Sequence, residues 1–252
     1  MTGGSPWLFG EVLFDHFPDG RRVLGGAPFN VAWHLQAFGA SPRLVSRLGQ
    51  AAERAAVRTA MQDWSLHTGA LQRDPELPTG QVRVSIEDDE PSYEIVHPVA
   101  WDRIEAPHAS ARAGSLLYHG SLALRDPVSR AALQSLRAAL DCTVFLDVNL
   151  RPPWYRIEQV LDWVSTAHWA KLNEDEFAEL AAAAALPGAA DPLPLRAERF
   201  LEAFGLAGLI VTRGGAGALL LTEDGTGLEA AAAPRREPLV DTVGAGDAFS
   251  SV

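Results

Sequence analysis

The sequence of 252 residues has one cysteine, Cys142, and a net charge of −11 at pH 7. A single cysteine excludes an intrachain disulfide, which is typical of proteins in the reducing cytoplasm. The acidic balance argues against nucleic acid or a membrane surface as a partner, because both bind basic proteins. The chain has no apolar run that could span a bilayer and no basic-then-apolar leader, so we expect a cytoplasmic protein.

Several common motifs of catalysis and binding are absent as well. The patterns GxxxxGK[ST], GxGxxG, HExxH and GxSxG do not occur. Their absence excludes a P-loop, weakens the case for a dinucleotide-binding fold, and argues against a metalloprotease or a serine hydrolase. The seven histidines are scattered without close histidine or cysteine pairs, which argues against a zinc site.

Strand-like and helix-like segments alternate along most of the chain. Strands are predicted at 7–15, 42–49, 115–120, 143–150, 168–173, 208–214 and 217–222, and helices at 25–39, 51–64, 129–140, 156–167, 174–186 and 194–205. This order predicts an α/β domain over residues 1–252, in which helices cover both faces of a mostly parallel sheet. Residues 79–101 alternate apolar and polar around an acidic turn, which predicts an exposed hairpin acting as a small β lid.

Ligands of such open sheets bind outside the carboxyl ends of the strands. This rule selects candidate residues before any motif is considered: Asp15, His119, Asp147 to Asn149, Asn173 and Thr212.

A glycine-rich segment, Gly244 to Asp247, lies just before a short helical pattern near the end of the chain. Gly244, Ala245 and Gly246 have almost no side chain, so their backbone N–H groups could approach an oxyanion closely. Asp247 could then act as a general base that takes a proton from an alcohol. The alternative is that Asp247 only caps the helix or compensates its dipole.

The segment DTVGAGDAF resembles the second signature of the ribokinase-like, or PfkB, carbohydrate kinases, and GGAPFNVAWHLQAFG resembles their first. Six further segments occur in the family's order: FGEVLFD, PTGQVRVSI, LYHGSLAL, FLDVNLRPPWY, KLNEDEF and VTRGGAGALL. The resemblance implies a three-layer α/β/α fold with a small lid, from about 16–25 and 79–101. The DVNLR and KLNEDE variants look most like fructokinases and 2-keto-3-deoxygluconokinases.

The resemblance also implies roles for residues at the acceptor site. Asp247 would be the base and Gly244 to Asp247 the anion hole, whereas the sugar hydroxyls would be held by Asp15, Gly25, Gly26 and Asn30. Alternatively, Asp15 is only an acidic residue of the turn at the end of a strand, and Asn30 is only a polar residue at the start of a helix. Arg151 could bind the transferred phosphate or an acidic sugar, or could form a salt bridge at the strand end.

Further roles concern the nucleotide and the cations. The resemblance implies ATP as phosphoryl donor, and it implies that nucleotide contacts come from Asn173, Thr212, Gly214 and Gly217. Glu176 would order Mg²⁺ through the water shell of the ion. Alternatively, Glu176 is only an acidic residue favoured in the first turn of a helix, a role that would suit Glu174 equally. A K⁺ site would involve Asp241 and the carbonyl of Val243.

The predicted function is phosphoryl transfer from ATP to a primary hydroxyl of a small sugar. Fructose is the first candidate substrate and 2-keto-3-deoxygluconate the second. The alternatives are a non-catalytic sugar-binding protein and a nucleoside kinase of the same fold. Because members of the family continue past the catalytic aspartate, we expect either a partial chain or a defective kinase with an open adenine site. The lid further predicts a homodimer.

Overall fold

The computed structural model describes residues 4–87, 90–107, 115–232 and 244–251. The strands are β1 (Trp7–Phe9), β2 (Leu13–His16), β3 (Arg22–Gly25), β4 (Arg43–Leu48), β5 (Leu71–Arg73), β6 (Gly80–Glu87), β7 (Glu90–Ile95), β8 (Ser115–His119), β9 (Cys142–Asp147), β10 (Trp169–Asn173), β11 (Gly208–Thr212), β12 (Ala218–Thr222) and β13 (Gly227–Ala230). The helices are α1 (Ala27–Ala37), α2 (Ala51–Asp63), α3 (Pro127–Ala139), α4 (Ile157–Val164), α5 (Glu174–Ala183), α6 (Leu193–Phe204) and α7 (Ala245–Ser250).

The chain divides into two compact units, which we call unit 1 (Met1–Cys142 with Gly244–Val252) and unit 2 (Thr143–Val243). In unit 1, β1 lies between β8 and β4, and β5 pairs with the other edge of β4. All these pairs are parallel. All three residues of β1 are buried, as expected for an inner parallel strand with both faces covered. Complete burial of an apolar side chain such as Phe9 contributes roughly 1.5–3 kcal/mol.

A second, four-stranded sheet in unit 1 corresponds to the predicted lid. Its order is β3-β2-β6-β7, in which β6 and β7 form the predicted antiparallel hairpin and β2 pairs with β6 in parallel. Strand β3 was not predicted as a strand, because its residues Arg22 to Leu24 follow a polar turn and are largely exposed.

The predicted strand 7–15 is wrong as one element, because the chain changes sheet within it. Trp7–Phe9 pairs in the large parallel sheet, and Leu13–His16 pairs in the small sheet. The change occurs at Gly10, whose φ of +152° favours glycine. An added Cβ at Gly10 would lie 2.5 Å from Pro28 Cγ. Asp15 therefore lies in the small sheet and not at the carboxyl end of a strand in the large one.

Unit 2 contains the parallel strands β9, β10 and β11, followed by β12 and β13, which pair antiparallel. Its core includes Phe177 of α5 and Phe200 of α6, whose ring centroids lie 5.4 Å apart. The predicted strands and helices of this unit are confirmed within a few residues. Short β13 was missed because its four residues are all exposed and carry no buried apolar pattern.

Two predicted helix-boundary signals of α1 are confirmed. Pro28 lies in the first turn of α1, and Gly39 follows the C-cap residue Phe38 with a φ of +80°. Within the described ranges, no helix is long and apolar enough to cross a membrane.

Candidate active site

The predicted sugar-binding residues of unit 1 lie around the start of α1. Gly26 is the N-cap of this helix, with a φ of +109°. An added Cβ at Gly26 would lie 2.6 Å from the carbonyl oxygen of Glu11, so only glycine fits here. An added Cβ at Gly25 would lie 3.6 Å from Asp15 Oδ2 and 3.9 Å from Asn30 Oδ1. Asp15 and Asn30 thus direct oxygens to the same space beside the Gly25 backbone.

Asp15 is half-buried near the carboxyl end of β2. Burial raises the pKa of its carboxyl above the ordinary value. A carboxylate that loses hydration in this way gains from hydroxyl donors, because these hydrogen bonds replace the lost water.

Asp247 and Asn30 are joined directly although they are 217 positions apart. Asn30 Nδ2 donates a hydrogen bond of 2.8 Å to Asp247 Oδ2. The backbone N–H of Asn30 bonds to the carbonyl of Gly26, so the residue belongs to the first turn of a regular helix. The hydrogen-bond partner of the Asn30 side chain thus lies on another helix, α7. A polar residue that only begins a helix would need no such contact.

The predicted anion-binding segment forms the start of α7. Gly244 is the N-cap in the left-handed conformation, Ala245 and Gly246 are exposed, and Asp247 lies in the first turn. An added Cβ at Gly244 would lie 3.8 Å from Asn30 Nδ2. The structure therefore brings this segment together with Asn30 within unit 1, and its role in binding phosphate stays a prediction.

Glu176 in unit 2 is 7 % exposed and has backbone partners at both oxygens. Oε2 accepts from the Asn173 N–H and Oε1 from the Leu150 N–H, both at 2.8 Å. The Asn173 side chain in turn accepts from the Glu176 N–H at 2.9 Å, which completes a capping box at the start of α5. Burial, and less strongly the nearby Asp147, raise the pKa of Glu176, against the two backbone hydrogen bonds.

The described surroundings of Glu176 do not form an all-protein cage for Mg²⁺, and a contact with Mg²⁺ through water stays a prediction. Both oxygens of Glu176 already accept backbone hydrogen bonds, and the side chain is almost enclosed. Among the described residues, no group of three or more histidine, cysteine, aspartate or glutamate side chains could hold a metal ion.

A buried ion pair beside Glu176 was missed by the sequence reasoning. Lys171 Nζ lies 3.0 Å from both oxygens of Asp147, and the two residues are partners in the register of β10 and β9. Their exposures are 6 % and 1 %. The available signal was that Lys171, the sole lysine of the chain, lies in a buried strand.

The other predicted residues of unit 2 lie at strand ends or on the surface. Thr212 ends β11 opposite Asn173, and its hydroxyl donates to the Leu172 carbonyl at 3.3 Å. Gly214 is exposed, and Gly217 is half-buried just before β12. These positions agree with the strand-end rule, whereas their contacts with a nucleotide stay predictions. Asp241 and Val243 lie outside the described residues.

Arg151 is exposed, and its guanidinium donates to the carbonyl of Leu150 at 2.9 Å. Within the part of the chain that the structure describes, no carboxylate lies within salt-bridge distance of it. The strand-end salt bridge considered for Arg151 is therefore not formed with a described residue, which leaves the guanidinium accessible to an anion.

Solved structures similar to this chain include two kinases. The apo fructokinase from Vibrio cholerae O395 is 25% identical, with a TM-score of 0.82 over 98% of this chain and 87% of that chain. The aminoimidazole riboside kinase from Salmonella enterica, complexed with aminoimidazole riboside and an ATP analog, is 26% identical, with a TM-score of 0.80 over 97% of this chain and 82% of that chain. The fold is thus that of the ribokinase-like kinases, which confirms the predicted fold class.

The sequence comparisons identify the family. An aminoimidazole riboside kinase from Salmonella typhimurium is 28% identical over 259 residues, which cover 96% of this chain and 77% of that protein. Residues 7–252 match the pfkB family carbohydrate kinases, and the chain belongs to this family. The predicted family and the predicted enzyme class, a carbohydrate kinase, are confirmed.

Proposed function

We propose that the protein transfers the γ-phosphoryl group of ATP to a primary hydroxyl of a small neutral sugar, with fructose as the first candidate. The observation that carries the proposal is the hydrogen bond between Asn30 and Asp247. It joins the predicted base to a residue whose amide oxygen faces the same space beside Gly25 as Asp15 does.

The proposed reaction is an in-line displacement. The hydroxyl oxygen of the sugar forms a bond to the γ-phosphorus, and the bond from that phosphorus to the β–γ bridging oxygen breaks. ADP leaves with the electron pair, and the hydroxyl proton passes to the Asp247 carboxylate. The backbone N–H groups after Gly244 would stabilise the charge on the phosphoryl oxygens.

The choice of a neutral sugar is supported by the acceptor atoms beside Gly25. Asp15 Oδ2 and Asn30 Oδ1 are both hydrogen-bond acceptors, which suit the hydroxyl donors of a polyol. A sugar carboxylate placed there would face an acidic side chain, so 2-keto-3-deoxygluconate ranks second, with the exposed Arg151 in its favour. The resemblance to aminoimidazole riboside kinases makes a riboside the third candidate.

ATP as donor is supported by the ATP analog in the structure of the riboside kinase. The donor would contact unit 2 through Asn173, Thr212, Gly214 and Gly217. Bound Mg²⁺ would neutralise phosphate charge, and Glu176 would hold one of its water ligands. A K⁺ site at Asp241 and Val243, a homodimer and a cytoplasmic location stay parts of the proposal.

ADP formation tests the proposal. The protein is incubated with Mg-ATP and, separately, with fructose, 2-keto-3-deoxygluconate, aminoimidazole riboside or adenosine. We expect ADP release with fructose, and a loss of at least about 100-fold in Asp247→Asn, because a positioned base contributes roughly that factor or more. The matched control is Asp63→Asn, which changes an exposed aspartate at the end of α2 and should keep full activity.

The alternative of a non-catalytic sugar-binding protein gives a different result. Such a protein would bind fructose in calorimetry with an affinity that depends on Asp15, yet release no ADP with any acceptor. ADP release with adenosine alone would instead support a nucleoside kinase and contradict the choice of a sugar.

A further inference from the structure

The side chain of Asn30 connects two parts of the candidate site. Its oxygen Oδ1 faces the space beside Gly25 that Asp15 also faces, and its nitrogen Nδ2 faces Gly244 and donates to Asp247. An amide has one accepting end and one donating end, so a single residue can contact both a sugar hydroxyl and a carboxylate.

We propose that Asn30 is a positioning residue for the base Asp247, in addition to its predicted contact with the sugar. This inference rests on the proposed function. A hydrogen bond from the Asn30 amide to Oδ2 favours the ionised carboxylate and restricts its rotation about the Cβ–Cγ bond. A sugar bound through Oδ1 is then held by the same side chain that orients the group accepting its proton.

The surroundings of Asn30 support a fixed geometry. Its backbone is held in the first turn of α1 by the bond to Gly26, and Pro28 restricts the same turn. The side chain is half-buried, which limits competition from water. Helix α1 carries one titratable side chain, His34, and β2 carries two, Asp15 and His16, so these are the groups that a measured pH dependence must take into account.

The kinetic test uses two variants with different chemistry. Asn30→Leu keeps similar volume but removes the amide, and Asn30→Asp keeps the shape but places a second carboxylate beside Asp247. We expect Asn30→Leu to lower kcat about 10- to 100-fold, the usual effect of losing a hydrogen bond to a charged group. In Asn30→Asp the acidic limb of the kcat profile should move to higher pH by about one unit or more, because like charges oppose ionisation.

A residue that only binds the sugar would give another pattern. In that case Asn30→Leu would raise KM for the sugar while kcat and its pH profile stayed as in the wild type, and this result would overturn the inference. Gln36→Leu, on the same helix outside the site, is the control and should leave the profile unchanged. The Asn30→Asp profile should keep its shift in His34→Gln, which separates the effect from His34.

A second measurement does not depend on turnover. Unfolding by denaturant is followed for Asn30→Leu, for Asp247→Asn and for the double variant. If the two residues interact as inferred, the double variant loses clearly less stability than the sum of the single losses. Additive losses would overturn the inference. Non-additive losses in a protein that releases no ADP with any acceptor would support the contact and contradict the proposed kinase function instead.

Discussion

Among single residues, His119 shows how burial controls charge. The side chain is 2 % exposed at the end of β8, and its Nδ1 lies 3.0 Å from the carbonyl oxygen of Gly120. Burial lowers the pKa of the imidazole from 6.5 to about 4. The ring is therefore neutral near pH 7 and gains a proton more easily in the unfolded chain than in the folded one.

This difference predicts a pH dependence of stability. Because the folded pKa lies below the unfolded one, the contribution of His119 is complete above about pH 6.5 and is lost as the pH falls towards 4. Over that range the wild type should lose about 3 kcal/mol more free energy of unfolding than His119→Gln. Urea titrations of both proteins near pH 7 and near pH 4 measure the difference. Parallel pH dependences of the two proteins would contradict the neutral buried ring.

At the scale of elements, the start of α5 contains two residues that stabilise the helix and are also candidates for ligand binding, Asn173 and Glu176. The Asn173 side chain caps the helix through the Glu176 N–H, and Glu176 contacts the loop after β9 through the Leu150 N–H. By resemblance, Asn173 was assigned to nucleotide binding and Glu176 to Mg²⁺ binding. The structure shows that the two residues form a capping box. The two roles are compatible, because the cap holds both side chains at the ends of neighbouring strands.

Substitution of Asn173 separates these roles. Asn173→Ala should cost about 1 kcal/mol of unfolding free energy, the usual effect of removing an N-cap, whereas Asn173→Ser should cost a few tenths at most because serine also caps. Denaturant titrations measure the stabilities, and ADP assays measure the KM for ATP. If Asn173 also contacts the nucleotide, both variants should raise this KM. An unchanged KM in Asn173→Ser would leave the cap as the function of this residue.

At the scale of the whole molecule, the small sheet exposes two large apolar side chains, Val23 and Tyr93. Val23 and Tyr93 are 44 % and 57 % exposed. Directly paired residues of a sheet have their side chains on the same face. Asp15 pairs with Val23 and with Val82, so these residues share a face. Val84, two residues after Val82, points to that face too, as does its partner Tyr93. Val23 lies on the edge strand β3 and Tyr93 on the opposite edge strand β7, and exposed apolar side chains on one face can take part in a contact between proteins.

We therefore expect the predicted homodimer to involve this face. Light scattering at micromolar concentration should give the mass of a dimer, and Tyr93→Asp should give a monomer, because a buried unpaired charge opposes association. Leu228→Asp, at an exposed position of β13 in unit 2, is the matched control and should stay dimeric. A monomeric wild type would contradict the prediction, and a dimeric Tyr93→Asp would move the interface elsewhere.

Local patterns in the sequence determined most helices and strands, because periodicity, Pro28 and Gly39 act within a few residues of one another. They also led to the family, since its motifs are contiguous segments in a fixed order. The same local reasoning failed at 7–15, where an unbroken apolar run hides the change of sheet at Gly10. Short exposed strands such as β13 left no signal, because their pairing depends on a neighbouring strand.

The resemblance grouped Asn30 and Asp247 at one site, but only the tertiary structure decided the individual contacts between side chains. The contact of Asn30 with Asp247 spans 217 positions, and the pairing of Lys171 with Asp147 depends on the register of two strands. No pattern along the chain encodes such distances, since they result from the packing of complete helices and strands. The sequence by itself therefore determined the candidate residues and the family, and the fold determined which of these residues are in direct contact.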